Sequence, residues 1–271
     1  MRWKNKPTFS PMITSRKNPK IQWVRELQSD PKSRRHEEAF VVEGVRLVEE
    51  AFHSGSRLRL VLFGQGLSDR GLAVVARCQE AGVEVEGTSE EVMRSASSTE
   101  SPQGILAVVE NKEARFPERL DFALILDRIR DPGNLGVILR TAAAAAVDGV
   151  FLTPDSVDPY SPKVLRAGMG AHFRLAFREA SWNEIQASIR TYALQVLLAV
   201  PGRGVPYYQA DFRQPLALII GGEAEGAGQE AFRAADQLVN IPLAGGMESL
   251  NTAAAAAILM FEVVRQRGVN V

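Results

Sequence analysis

Three turns in this sequence gather residues able to do chemistry on a polar substrate. The first lies in LDRIRDPGNLGVILRTAAAAA, residues 126–146, where Pro132 and Gly133 break the chain and Asn134 reads as the cap of the following helix. Gly136 and Arg140 stand four apart and so share a helix face; a five-donor guanidinium beside a glycine suits a phosphate. A surface arginine in an ion pair fits those residues equally. The second turn lies in LALIIGGEAEGAG, residues 216–228, a buried strand running into Gly221, Gly222 and Gly226, which let backbone amides and carbonyls come close to a ligand. Glu223 and Glu225 there either receive donors from a ribose or an amino acid, or are solvated turn residues. The third lies in NIPLAGGMESLNTAAAAAILMFEVVRQ, residues 240–266, where Ser249 reads as a helix cap with Leu250 and Asn251 in the first turn. The alanines that follow offer a smooth face to another backbone, and alone the segment is also a plain packing helix.

Other chemistries lack their residues. No Gly-x-Gly-x-x-Gly opens a helix after a strand and no Gly-Lys-Ser/Thr occurs, which argues against NAD and P-loop nucleotide binding. His36, His53 and His172 are scattered without a helix-spaced pair, so no metal is expected. The single cysteine, Cys78, reads as a small buried residue and fits a reducing compartment. The longest apolar run, 253–261, is far short of the ~20 residues that cross a bilayer.

The elements that must carry these turns alternate between strand and helix. In the first half the pattern predicts a helix from residue 20, a strand turning into a helix at Gly44 over 40–52, strands 58–63, 83–86 and 105–109, and a helix 69–81. Charged, proline-containing 111–120 then has no apolar period, so we read 1–112 as one domain, 113–120 as linker and 121–271 as a second domain. The second half predicts strands 122–126, 150–152, 194–200, 216–220 and 238–241 and helices 134–146, 182–192 and 250–266. Strands as uniformly apolar as LALII and VLLAV call for a parallel sheet covered on both faces, an α/β fold in which turns after the strands form the ligand crevice.

Composition (45% hydrophobic, 24% charged) is that of globular domains, and 271 residues suffice for two. The formal net charge of zero conceals a basic start. Residues 1–37 hold Arg2, Lys4, Lys6, Arg16, Lys17, Lys20, Arg25, Lys32, Arg34 and Arg35 against Glu26, Asp30 and Glu37, with Trp3 and Trp23 among them. Such an arm can neutralise phosphates and stack on bases, or be a solvated tail or a transit peptide.

In order, the three turns resemble the SpoU motifs N-x-G-x-x-x-R-T-A, G-G-E-x-E-G and I-P-hydrophobic…E-S-L-N, those of the SpoU/TrmH-type RNA 2′-O-ribose methyltransferases of the SPOUT superfamily. Residues 15–51 and SPQGILAVV, 101–109, resemble the substrate-binding domain that accompanies that family. The resemblance implies a carboxyl-terminal SPOUT domain, a parallel sheet with helices on both faces and a trefoil knot, behind a smaller α/β domain like ribosomal protein L30e. It also implies a cytoplasmic homodimer in which the partner chain completes each active site, with S-adenosyl-L-methionine as cofactor and RNA as substrate. Large-subunit (23S) rRNA is the expected target; a tRNA methyltransferase or a non-catalytic RNA-binding assembly factor are the alternatives. Carried over, the catalytic positions are Asn134, Arg140, Glu225, Ser249 and Asn251. Arg140 would clamp the phosphate next to the hydroxyl, Asn134 and Ser249 orient that hydroxyl, Glu225 fix loop geometry and Asn251 serve the cofactor edge. The implied cofactor pocket is Ala199, Val200, Gly221, Glu223, Ile241, Leu243, Leu250 and Asn251. One segment departs: 162–175 reads Ala-Gly-Met-Gly where relatives often show a serine.

Overall fold

The computed structural model describes residues 12–111, 116–223 and 226–268. Two compact units emerge: Met1–Lys112 with Tyr160–Arg166, and Glu113–Pro159 with Ala167–Val271.

The first unit runs α1 (Pro19–Ser29), α2 (Pro31–Glu37), β1 (Ala39–Glu43), α3 (Val45–His53), β2 (Leu58–Gly64), α4 (Asp69–Glu80), β3 (Val85–Thr88), α5 (Glu90–Ala96) and β4 (Ile105–Glu110). The predicted first helix is followed at once by a second, for a local reason. Asp30 precedes Pro31, is pushed to extended backbone (φ −115°, ψ 116°), and its carboxylate caps α2 by accepting from Lys32 and Ser33 N–H. The sheet order is β1-β4-β2-β3, with β4 antiparallel to both neighbours and β2 parallel to β3. One face, including Val41, Leu62, Leu106 and Val108, is covered by Ile21, Val24 and Leu27 of α1 and by Val92 and Met93 of α5. Helices α3 and α4 also bury apolar residues, and Cys78 of α4 is buried with its thiol pushed up to about 11 by desolvation.

Part of the basic arm serves the protein itself. Arg16 pairs with Glu91, Lys20 with Glu84 and Glu86, and buried Arg34 donates to the carbonyls of Leu27 and Gln28, which end α1. Trp23 packs against the core rather than standing free to stack on a base. Arg2, Trp3, Lys4 and Lys6 lie outside the described residues.

The second part of the chain carries β5 (Phe122–Asp127), α6 (Pro132–Ala144), β6 (Gly149–Leu152), α7 (Pro162–Gly168), β7 (Phe177–Glu179), α8 (Trp182–Thr191), β8 (Gln195–Ala199), β9 (Val205–Pro206), β10 (Leu216–Gly221), α9 (Gln229–Ala234), β11 (Gln237–Asn240) and α10 (Thr252–Arg267). The seven strands are parallel in the order β7-β6-β5-β10-β8-β11-β9. Strand β5 leads to β6 and β7 on one side, and the chain then returns to build β8, β10 and β11 on the other. That reversal falls between β5 and β10, and sheets of this kind bind ligands beyond the carboxyl ends of strands near such a point. Strand β10 is buried throughout except at Gly221, as a doubly covered parallel strand must be. On one face Ile125, Phe151, Leu198 and Ile219 pack with Ile185 of α8 and Ala231 of α9. Helices α6 and α10 pack against each other, and α10 also packs against β10.

Two helix starts differ from the sequence reading. Asp131, not Asn134, caps α6: its carboxylate accepts from Asn134 N–H at 2.7 Å, and Pro132 occupies the first turn. Asn251, not Ser249, caps α10, accepting from Ala253 and Ala254 N–H at 3.0 and 3.2 Å.

Candidate active site

Turns leaving β8, β10 and β11 and the residues before α10 surround one cavity of about 580 Å³. That volume lies in the range of small-molecule sites. Ala199 and Val200 enter from the end of β8, Gly221 and Glu223 from β10, Ile241 and Leu243 from β11, and Ser249, Leu250 and Asn251 from the approach to α10. The eight pocket positions named from the sequence therefore share one wall-to-wall space, joined by Ser249 from the catalytic set. Pro201, Phe232 and Thr252 also line it and were not singled out from the sequence. Phe232 of α9 lay in no motif; the residue is 37% exposed and its ring centroid lies 5.5 Å from the Arg203 guanidinium carbon. Glu225 lies outside the described residues.

The three turns are tied together by side chains. Asn251 Nδ2 donates to Asn134 Oδ1 at 3.0 Å, and Asn134 Nδ2 donates to Glu223 Oε1 at 2.5 Å. The direction of this relay is dictated from one end. The first N–H groups of α10 have no partner within the helix and take Asn251 Oδ1, so its amide nitrogen must face outward. Asn134 must then present its oxygen to Asn251, which leaves its own nitrogen for the carboxylate. Glu223 is thus held by the Asn134 amide, at the lip of the cavity.

Arg140 stands apart from this cluster. It lies six residues along α6 from Asn134, roughly 9 Å at ~1.5 Å per residue, and does not line the cavity. The guanidinium is exposed and, among the described residues, has no hydrogen-bond or ion-pair partner, unlike the ion-paired arginine its surroundings also allowed. Nor do Gly136 and Arg140 form an open patch: Gly136 is buried, its carbonyl 3.7 Å from where a Cβ on Gly168 would stand. About 40° separates them around the helix, and the buried boundary falls between. Arg140 instead shares the outer face of α6 with Val137 and Ala144. On the neighbouring α10 the exposed residues Ala254, Ile258 and Phe261 form a second stripe.

Among the described residues no cluster of His, Cys, Asp or Glu could hold a metal ion, and no helix is long and apolar enough to cross a membrane. The apolar walls of Ile241, Leu243 and Leu250, the residues at three strand ends and the Glu223 carboxylate fit a ligand with a flat apolar part and several hydroxyl or amino donors.

Comparison with known proteins identifies the family. Residues 121–261 match the SpoU rRNA Methylase family and residues 18–107 the MRM3-like substrate binding domain. A 23S rRNA (guanosine(2553)-2'-O)-methyltransferase of Bacillus subtilis is 31% identical over 93% of this chain and 98% of its own. A 23S rRNA (uridine(2479)-2'-O)-methyltransferase of Streptomyces viridochromogenes is 33% identical, over 94% and 92% respectively. The crystal structure of an AdoMet-bound rRNA methyltransferase from Sinorhizobium meliloti superposes with a TM-score of 0.86 at 30% identity, covering 96% of this chain and 99% of that one. This chain belongs to the SpoU rRNA methylase family: it is an S-adenosylmethionine-dependent RNA methyltransferase with the SPOUT fold.

Proposed function

We propose that the protein methylates a ribose 2′-oxygen in large-subunit rRNA and does so as a homodimer. The observation that carries the reading is the Asn251–Asn134–Glu223 relay, which draws all three motifs to the lip of one cavity. Relatives that match along nearly their whole length are named for 23S rRNA 2′-O-methylation, and the first unit matches a substrate-binding domain, which supports rRNA as the target.

S-adenosylmethionine supplies an electrophilic methyl on a sulfonium sulfur. Backbone at Ala199, Val200, Gly221 and Ile241, with Leu243 and Leu250 as apolar walls, would hold it in the cavity, and Glu223 and Asn251 would meet its polar edge. Ser249 lines the same space and orients the ribose hydroxyl. Asn134 acts by holding Glu223 and Asn251 in register. Displacement at carbon needs the attacking oxygen in line with the leaving sulfur, so positioning contributes much of the rate. A guanidinium beside the hydroxyl stabilises charge developing on its oxygen and grips the adjacent phosphate.

Arg140 does this in the cavity of a second protomer. It does not line its own cavity, while its exposed neighbours Val137, Ile258 and Phe261 offer apolar surface for a partner to cover.

Calorimetry with S-adenosylmethionine should give one site per protomer. Mapping 2′-O-methyl groups in cells with and without the gene should show one position lost from large-subunit rRNA. A loss in tRNA alone refutes the rRNA target, and absence of binding heat refutes the cavity assignment.

A further inference from the structure

The geometry points to Asp127, through Thr153, as the positioning residue that sets the glycine-rich loop of the cofactor cavity. Asp127 ends β5 directly beside Gly221, the end of β10, and is 1% exposed. A buried carboxylate is costly unless its oxygens receive donors. Here both do: Oδ1 takes the Thr153 hydroxyl at 3.0 Å and Oδ2 takes Gly228 N–H at 2.6 Å. The backbone joins in, since Gly222 N–H donates to the Asp127 carbonyl at 2.9 Å and Arg128 N–H donates to Thr153 Oγ1 at 2.9 Å. Arg128 Nη2 also donates to the Gly226 carbonyl at 3.3 Å.

The loop after β10 is therefore pinned at both ends to residues 127 and 128. Gly222 holds its start; Gly226 and Gly228 hold its finish. Between or at the pins lie Glu223, the receiver of the relay, and Gly226 and Ala227, which line the cavity. The approach is so close that a Cβ on Gly222 would meet the Arg128 carbonyl oxygen at 2.3 Å. Arg128 adopts left-handed backbone (φ 57°), a conformation costly for a non-glycine residue and sustained by the bonds on either side of it. Asp127 does not line the cavity, so it acts on the cofactor only through the loop. Thr153 keeps the carboxylate turned toward Gly228, because its hydroxyl oxygen is already engaged by Arg128 N–H and its hydrogen is directed to Oδ1.

This inference rests on the cavity being the S-adenosylmethionine site. The test compares Asp127→Ala, Thr153→Val and Thr153→Ser with the wild type in the full chain. Asp127→Ala should raise the S-adenosylmethionine Kd and KM at least tenfold, with kcat at saturating cofactor within about threefold and RNA affinity unchanged. Thr153→Val should raise KM about threefold or more, and Thr153→Ser, which keeps the hydroxyl, should restore it. An Asp127→Ala protein with wild-type cofactor affinity overturns the inference. So does a Thr153→Ser variant as impaired as Thr153→Val; that comparison decides the matter if Asp127→Ala does not fold. A general structural defect would move RNA affinity and kcat together with KM. A wild-type protein without cofactor binding removes the cavity assignment itself, whereas a wild type that binds and an Asp127→Ala that binds equally well removes only this inference.

Discussion

Replacing Asn251 by aspartate removes one donor while leaving the helix cap in place. The cap survives because an aspartate oxygen still accepts from Ala253 and Ala254 N–H, and its charge is favourable at a helix amino terminus. The relay does not survive, since the atom facing Asn134 Oδ1 is now an oxygen. Turning the Asn134 amide would satisfy the new carboxylate but set its oxygen against Glu223, so one link is lost either way. Glu223 and Asn251 are exposed, which keeps the worth of that link near ~1 to 1.4 kcal/mol, or roughly five- to tenfold in cofactor affinity. Asn251→Ala loses the cap as well, a further ~1 kcal/mol of stability and about 2 to 4 °C in melting temperature. The expected pattern is therefore a split. Calorimetry shows both variants binding S-adenosylmethionine five- to tenfold more weakly, while only the alanine variant melts early. In an Asn134→Ala background the aspartate substitution should add almost nothing, because the link it breaks is already gone. Wild-type affinity in Asn251→Asp, or equal destabilisation of both variants, would refute the directional relay.

Mixing Arg140→Ala protomers with protomers whose cavity is blocked by Leu250→Arg should restore about a quarter of wild-type turnover. With random pairing about half of the dimers are mixed, each with one complete site; no recovery would place Arg140 in its own cavity. Gly222→Ala should weaken cofactor binding more than tenfold and cost about 1–3 kcal/mol in denaturant titration, because its Cβ would meet backbone 2.3 Å away that cannot move aside. Burial pushes the His172 imidazole down to about 4, against the raising influence of the Pro159 carbonyl and Asp158. The unfolded chain takes up that proton near pH ~6.5, so this contribution to stability is present above 6.5 and lost as pH falls towards 4. Melting temperature should fall more steeply over that window in the wild type than in His172→Phe.

The sequence by itself determined the local parts of this protein. Runs such as LALII leave no polar face, so they had to become doubly covered strands, and the glycines after them had to be turns. The three polar turns were visible because their chemistry is carried by neighbours in sequence. Short elements were not: α2 and α5 have 7 residues each and α9 has 6, too few for a helical period to show. Residue types alone could not choose between caps either, because serine and asparagine serve almost equally; Asn251 is the cap because the chain turns into α10 there. What only the tertiary structure decided is who meets whom. Strands β5, β6, β8, β10 and β11 were legible and the short β7 and β9 were not, and nothing in the sequence showed that β10 would insert between β5 and β8. That insertion brings Asp127 to Gly228, 101 residues away, and Asn134 to Asn251, 117 residues away. Asp127 was singled out by nothing in the sequence, and Arg140 looked like part of the same cluster as Asn134, because contact between distant segments is set by the packing of whole sheet faces and leaves no periodic mark in either segment.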